Sequence, residues 1–243
     1  MPRMGTVHRE EYKTLKDVFD LFTEKNLFKL ISQGYIDGLQ SPLSTGKEAN
    51  IFTAKKGDEI RIVKIYRLQT CDFNKMYDYL RADPRYATLK NKRREVVFAW
   101  AHRENRNLLK AIEAEVRVPL TYTQLYNILI MEFIGDENAA QKLKDQKPAD
   151  PEKFFKEVVE QMKKLYKAGL IHADLSGFNI LNYDEKPVLI DMSQATPLEN
   201  PNAQEYLKRD VHNICTLFKK WGVKAEEDEV LKRITINSRI KWR

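Results

Sequence analysis

At 243 residues, with 42% hydrophobic and 32% charged side chains, the sequence has the make-up of a soluble globular protein, either one domain or two small packed lobes. Its uncharged apolar runs, such as 127–131, are strand-length and far short of a membrane span, and its N-terminus lacks the apolar stretch of a secretory signal. Lys and Arg number 42 against 35 Asp and Glu, a net charge of +7 that suits polyanionic partners such as RNA, nucleotides or phosphoproteins.

In chain order, Tyr12, Leu15, Val18, Phe19 and Phe22 recur at helical spacing, and a second short helical run ends at Gly34. Residues 51–55 and 60–66 read as strands joined by the hairpin signal Lys56-Gly57-Asp58-Glu59. Cys71 and Cys215 lie far apart, match no metal spacing and read as reduced thiols of a cytoplasmic protein. A long helix is expected over about 91–115, with Val97, Trp100, Ala101, Leu108 and Ile112 on one face, followed by a strand pair at 121–124 and 127–133. The polar stretch 135–150 suits a linker or lobe boundary, and Asp150-Pro151 is an N-cap with proline at the first helical position. The apolar stripe Phe154, Phe155, Val158, Val159, Met162, Leu165 and Tyr166 then defines a helix that Gly169 stops. Loop and short strands run to about 191, and helix follows. A mainly β first lobe holding one long helix, then a mainly helical second lobe, would leave a ligand cleft between them.

Chemistry concentrates in IHADLSGFNILNYDEKPVLIDMSQA. Asp174, Asn179 and Asp191 supply a carboxylate able to orient a hydroxyl and accept its proton, and two hard oxygen ligands of the kind Mg2+ demands. A hairpin of 180–182 with 188–190 would bring Asp191 beside Asn179. Each residue alone reads better as a turn or capping residue; together they point to phosphoryl transfer. Lys64, between apolar neighbours in RIVKIY, needs a partner if buried, and Glu104 follows the apolar face of the long helix. An edge-strand lysine with its head in solvent is the alternative. LSTGKEANIF, at 43–52, matches neither a Walker A loop nor GxGxxG, since Ser41 and Glu48 stand at required positions and Gly46 is alone. Its small residues Ser44, Thr45, Gly46 and Ala49 would still let backbone amides approach phosphates.

The order of this loop, strand Lys, helix Glu, HxDxxxxN and a later Asp resembles the protein kinase superfamily. It departs from it in His172-Ala173-Asp174, in Asp191-Met192-Ser193, and in the lack of an APE motif within the 52 residues after Asp191. STGKEAN, IHADLSGFN and LIDMSQA resemble the RIO family of atypical serine protein kinases, and more narrowly its type-one branch in a compact, archaeal-like form, over about 40–220. The resemblance implies an α+β, two-lobed protein-kinase-like fold: an N-terminal helical extension at 1–40, a β-rich N-lobe at 41–135 and a truncated helical C-lobe at 136–243, without activation loop or peptide-binding subdomains. It implies that Asp174 is catalytic, that Asn179 and Asp191 bind metal, and that Asp191 can become a transient phosphoaspartate. Ser44, the Lys64–Glu104 pair and the hinge backbone at Glu132 and Ile134 (in MEFIG) would bind ATP, with Mg2+ or Mn2+ as cofactor. Autophosphorylation, ATP hydrolysis and a role in small ribosomal subunit maturation, with the pre-ribosomal subunit or its RNA and proteins as partner, complete the implication.

Two departures stand out. Asn105 occupies a place beside Glu104 where a large hydrophobe is expected, so a buried, unpartnered amide would cost about 1–3 kcal/mol and loosen the helix. Residues 137–141 replace a proline-containing segment after the hinge. Small-molecule kinases of the aminoglycoside or choline type share the HxD…N loop and later Asp but are not associated with STGKEAN. A catalytically silent pre-ribosome scaffold is the other alternative, and pseudokinases usually lack one of the residues retained here.

Overall fold

Branched and alternating side chains between 38 and 66 form three antiparallel strands in the computed structural model, which describes residues 19–236: β1 (Gly38–Thr45), β2 (Ala49–Lys56) and β3 (Glu59–Tyr66). β2 and β3 pair without slippage from Ala49↔Tyr66 to Lys56↔Glu59, and Gly57 supplies the positive φ of +58° that closes the turn. β4 (Thr121–Leu125) and β5 (Ile128–Glu132) complete a five-stranded sheet in the order β1-β2-β3-β5-β4. β1 is an edge strand with irregular pairing on both sides of Pro42, which has no N–H to give to a ladder. It is largely exposed and begins at Gly38, so the expected break at 40/41 falls inside a strand.

Helix α1 (Leu21–Ser32) starts where Asp20 accepts the N–H groups of Phe22 and Thr23. Most of the helix read from the stripe at 12–22 lies outside the described residues. Phe19 precedes the cap and meets Phe52 edge-on at 5.3 Å, while Phe22, inside the helix, stacks on Phe98 at 5.5 Å. The segment between β3 and the long helix carries an unforeseen helix, α2 (Phe73–Arg81), and a 3-10 turn at Pro84–Tyr86. The long helix itself, α3 (Arg93–Glu113), falls within the expected span and buries Val97, Trp100, Ala101 and Leu108.

The second lobe is built on α4 (Pro151–Lys167), capped by Asp150 and lined by the apolar stripe from Phe154 to Tyr166. Around it come β6 (Gln141–Lys142), β7 (Leu170–Ile171), β8 (Ile180–Tyr183), β9 (Lys186–Leu189), β10 (Thr196–Pro197), α5 (Ala203–Lys219) and α6 (Glu227–Thr235). β6, β8 and β9 form one small sheet, and β7 pairs with β10. The largest apolar core joins α4, α5 and α6 to the inner ends of α3 and β5. Among the described residues, no helix is long and apolar enough to cross a membrane.

The stretch 135–150 is more ordered than a linker. Gly135 and Ala139 form a bridge, the Ala140 N–H donates to the Ile134 carbonyl at 2.9 Å, and Leu143 is fully buried while donating to the Ile180 carbonyl at 2.8 Å. Gly135 makes the turn possible: its φ is +146°, and a Cβ there would stand 2.2 Å from the Asn138 carbonyl oxygen. Gly135→Ala should lower stability by about 1–3 kcal/mol, read as a fall in the urea midpoint at constant m-value.

Candidate active site

β3 is a central strand, with Lys64 registered against Ile51 on one side and Leu129 on the other. Its side chain leaves the sheet face toward α3 and the second lobe and is 6% exposed. The Lys64 ammonium lies 2.8 Å from Glu104 Oε1 and 3.0 Å from Asp191 Oδ1. Glu104, 1% exposed on α3, also accepts the hydroxyl of Tyr66, which shares a face with Lys64 because strand side chains repeat every second residue. Burial opposes the Lys64 charge, but Asp191 and Glu104 outweigh it and lift its pKa above the ordinary value. For Asp191 burial acts upward, yet Lys64 and then the Ser193 hydroxyl, 2.7 Å from Oδ1, bring the carboxyl down to about 2. Burial pushes Glu104 up against the pull of Lys64.

Asp174 sits on the loop after β7, where Ala173 adopts a φ of +66°. Two buried α5 contacts hold that loop: Asp210 accepts the N–H groups of Ala173 and Leu175, each at 2.8 Å. Arg209 donates to the Ala173 carbonyl at 2.5 Å, and Asn213 donates to that of Leu175 at 3.1 Å. His172 Nε2 lies 3.0 Å from the Ile190 carbonyl, which can only accept, so that nitrogen carries the proton. Asn179 Nδ2 donates to Asp174 O at 2.8 Å and to Oδ2 at 3.3 Å, and Gln194 Nε2 donates to the same Oδ2 at 3.1 Å. Burial, then the charge of Asp191, raises the Asp174 carboxyl above its ordinary 3.8. The β8–β9 hairpin pairs Ile180 with Leu189, and the Ile190 N–H donates to the Asn179 carbonyl at 3.0 Å, which brings Asp191 beside Asn179.

These elements enclose a cleft of about 410 Å³ between the lobes. Ser44, Lys64, Glu104, Glu132, Ile134, Asn179 and Asp191 line it, along with apolar walls from Ile51, Ile62, Met131, Leu181 and Ile190. Asp174 is not part of the lining; it adjoins Asn179. Glu132 is fixed by Arg117 at 2.7 and 2.8 Å, and its N–H donates to the Leu120 carbonyl at 2.8 Å. The 43–52 stretch differs from a free phosphate loop: Ser44 and Thr45 belong to β1, and the Gly46 N–H is taken by the Ala49 carbonyl at 2.9 Å.

A metal fits the donor set. Asn179 spends its amide nitrogen on Asp174 and Asp191 spends only Oδ1, so Asn179 Oδ1 and Asp191 Oδ2 accept no hydrogen bond among the described residues. An amide oxygen and a carboxylate oxygen are the hard donors a divalent cation takes.

Asn105, expected to loosen α3, is half-buried and accepts the Thr121 hydroxyl at 2.5 Å, so no orphaned amide results. The buried amide is Asn107, which donates to the carbonyls of Met192 and Ala195. Asp210, Ser193, Gln194 and Tyr66 were not anticipated. A signal existed for Asp210, an acid on the buried stripe of Leu207, Val211 and Ile214. Asp210→Ala would leave two buried N–H groups without acceptors, so we expect a loss of about 2–5 kcal/mol in a denaturant titration.

Two lobes meeting at a hinge, a strand lysine paired to a helix glutamate, and a loop Asp and Asn facing a second Asp define a protein of the protein-kinase class. A family model described as RIO domain matches residues 50–231. The RIO-type serine/threonine-protein kinase Rio1 of Haloferax volcanii is 38% identical over 235 residues, covering 96% of this chain and 81% of the relative. That of Methanocaldococcus jannaschii is 41% identical over 228 residues, covering 93% and 78%. The Rio2 kinase of Chaetomium thermophilum, solved as an ADP/Mg2+-phosphoaspartate complex, shares the fold with a TM-score of 0.66 at 20% identity, covering 87% of this chain and 66% of that one. The chain belongs to the RIO family, among the Rio1-type serine/threonine-protein kinases.

Proposed function

We propose that the cleft binds ATP with Mg2+ or Mn2+ and passes the γ-phosphoryl group to serine hydroxyls, the protein's own included, with ATP hydrolysis as a second output. The observation that carries this reading is the Lys64 ammonium, held between Glu104 and Asp191 at 2.8 and 3.0 Å in an apolar-walled cleft. A buried cation fixed on two sides is preorganised to receive phosphate charge. The apolar walls suit a purine. The Ile134 carbonyl is engaged by Ala140 and the Glu132 N–H by Leu120, so the Ile134 N–H and the Glu132 carbonyl are the hinge groups we assign to the base. Ser44 reaches the phosphates from β1. A divalent cation, when bound, neutralises phosphate charge and would be held by Asn179 Oδ1 and Asp191 Oδ2.

Asp174 orients the acceptor hydroxyl and takes its proton. In hydrolysis, the Asp191 carboxylate attacks the γ-phosphorus as the bond to the ADP oxygen breaks, and water then cleaves the aspartyl phosphate to inorganic phosphate. The relatives' designation as serine/threonine-protein kinases supports a protein hydroxyl over an aminoglycoside or choline acceptor, and the retained Lys64, Asp174, Asn179 and Asp191 speak against a silent scaffold. The family resemblance points to the maturing small ribosomal subunit as partner, which the +7 charge suits, and the unpaired Cys71 and Cys215 suit the cytoplasm.

Asp174→Ala should lower kcat on the order of 10²–10⁴-fold in a γ-labelled ATP assay while ATP binding persists. Equal turnover by wild type and variant would overturn the reading, as would full activity after chelation of Mg2+ and Mn2+. The pH profile has a defined sign. The ionised Asp174 is the proton acceptor, and burial and the charge of Asp191 raise its pKa, so activity falls on acidification at a higher pH than an ordinary aspartate would give. A single-turnover series from pH 4 to 8 measures that limb.

A further inference from the structure

Outside the cleft the molecule buries a second set of charges. Asp83, Arg103 and Asn107 are each 0% exposed, and the Arg85 side chain is 14% exposed. Asp83 and Arg85 come from the segment between β3 and α3; Arg103 and Asn107 lie one turn apart on α3. Asp83 Oδ2 stands 2.6 Å from Arg85 Nη2 and 3.3 Å from Arg103 Nε, and Arg85 Nη1 donates to Asn107 Oδ1 at 2.9 Å.

The other side of the two α3 residues grips the stretch after Asp191. Asn107 Nδ2 donates to the carbonyls of Met192 at 2.8 Å and Ala195 at 2.7 Å, and Arg103 Nη2 donates to that of Gln194 at 3.1 Å. Within that stretch, Ser193 holds Asp191 at 2.7 Å and Gln194 holds Asp174 at 3.1 Å. Arg85 is thus linked through Asn107 to the backbone of 192–195, and the side chains of Ser193 and Gln194 on that same backbone bond Asp191 and Asp174.

The chemistry of the path gives it one direction. A guanidinium only donates, so Arg85 can meet only the oxygen of the Asn107 amide. That forces both hydrogens of Nδ2 toward Met192 and Ala195, where two carbonyls need donors. Without Arg85 the buried Oδ1 has no donor among the described residues, and the amide is held on its nitrogen side alone, by the carbonyls of Met192 and Ala195. Buried ion clusters contribute little net stability after desolvation, so geometry is the gain such a cluster offers.

We propose that Arg85, held by Asp83, is a positioning residue for phosphoryl transfer: it sets the Asn107 amide, which keeps residues 192–195 in the register that aims Asp191 and Asp174. The proposal rests on the reading of the cleft given above.

Arg85→Ala and Arg85→Lys in the full chain test it, since lysine keeps one donor for Asn107 Oδ1. In the nucleotide-free protein, amide hydrogen exchange across 190–196 should rise on the order of 10-fold in Arg85→Ala. Its kcat should fall on the order of 10- to 100-fold, with KM for ATP changed by less than about 2-fold. Lysine should restore most of both effects. Wild-type exchange or kcat in Arg85→Ala, or a lysine variant no better than alanine, would overturn the proposal. Raised exchange along the whole of α3 with a matching loss of thermal stability would overturn it too, as a purely structural role. If Arg85→Ala does not fold, Asn107→Asp decides: it keeps Arg85 paired but turns the donors into an acceptor, and unchanged exchange at 190–196 would sink the idea. Exchange needs no nucleotide, so a wild type that turned over no ATP would refute the reading of the cleft and leave this test standing.

Discussion

One ammonium group organises the molecule. Lys64 comes from the central strand of the first lobe, Glu104 from the helix behind it, and Asp191 from the turn after β9 in the second lobe. Removing Lys64 would leave the Glu104 carboxylate, 1% exposed, without its cation, at a cost far above that of a surface pair. The lobes are therefore joined at the point where the ligand must sit, and the junction constrains Asp191 asymmetrically. Lys64 and Ser193 both take Oδ1, so Oδ2 alone is left facing the cleft. The φ of +59° at Asp191 belongs with this constraint, because a non-glycine residue stays in that region only where its surroundings hold it there.

The same asymmetry separates what was legible in the sequence from what was not. Asp174, Asn179 and Asp191 could be read because one hairpin brings them together, so distance along the chain maps onto distance in space. Lys64 and Glu104 could be read because a charge set among apolar neighbours at strand or helix spacing must find a partner. β1 could not: as an edge strand it has one neighbour, most of it faces water, and Pro42 interrupts any alternation. Asn107 was missed for a different reason. Asn105 lies two positions away, and only long-range packing decides which of the two turns inward; the partners of Asn107 lie 85 and 88 residues further along the chain. Gln194 and Ser193 were read as part of a motif, but no local pattern says which carboxylate each would hold.

Among the described residues, α5 begins at Ala203, soon after Asp191, and buried contacts fix the geometry of the cleft. Two helices divide the task. From below, α5 holds both sides of Asp174 through Asp210 and Arg209. From behind, α3 holds the stretch after Asp191 through Arg103 and Asn107. Both sets of contacts act on backbone groups, so neither helix takes up a carboxylate oxygen of Asp174 or Asp191. An arrangement built from buried helix residues is present whenever the chain is folded, unlike one that waits for a loop to order.

Charge then explains why such a cleft would need a cation with its nucleotide. Glu48, on the turn before β2, has its carboxyl raised by burial and then by Asp191, and Asp174 feels the same neighbour. Glu104 and Asp191 pair with the buried ammonium of Lys64, and Glu48 and Asp174 add carboxylates close to Asp191, with Lys75 acting on both from an exposed position on α2. A polyphosphate entering alone would add negative charge where there is already an excess, in a low-dielectric space that magnifies the repulsion. A divalent cation arriving with it reverses the sign of that interaction, and the oxygens left open on Asn179 and Asp191 are where it would be felt. The acidity of the cleft thus selects for a metal–nucleotide complex over the bare nucleotide, with Lys64 held too firmly by its own carboxylates to make up the difference alone.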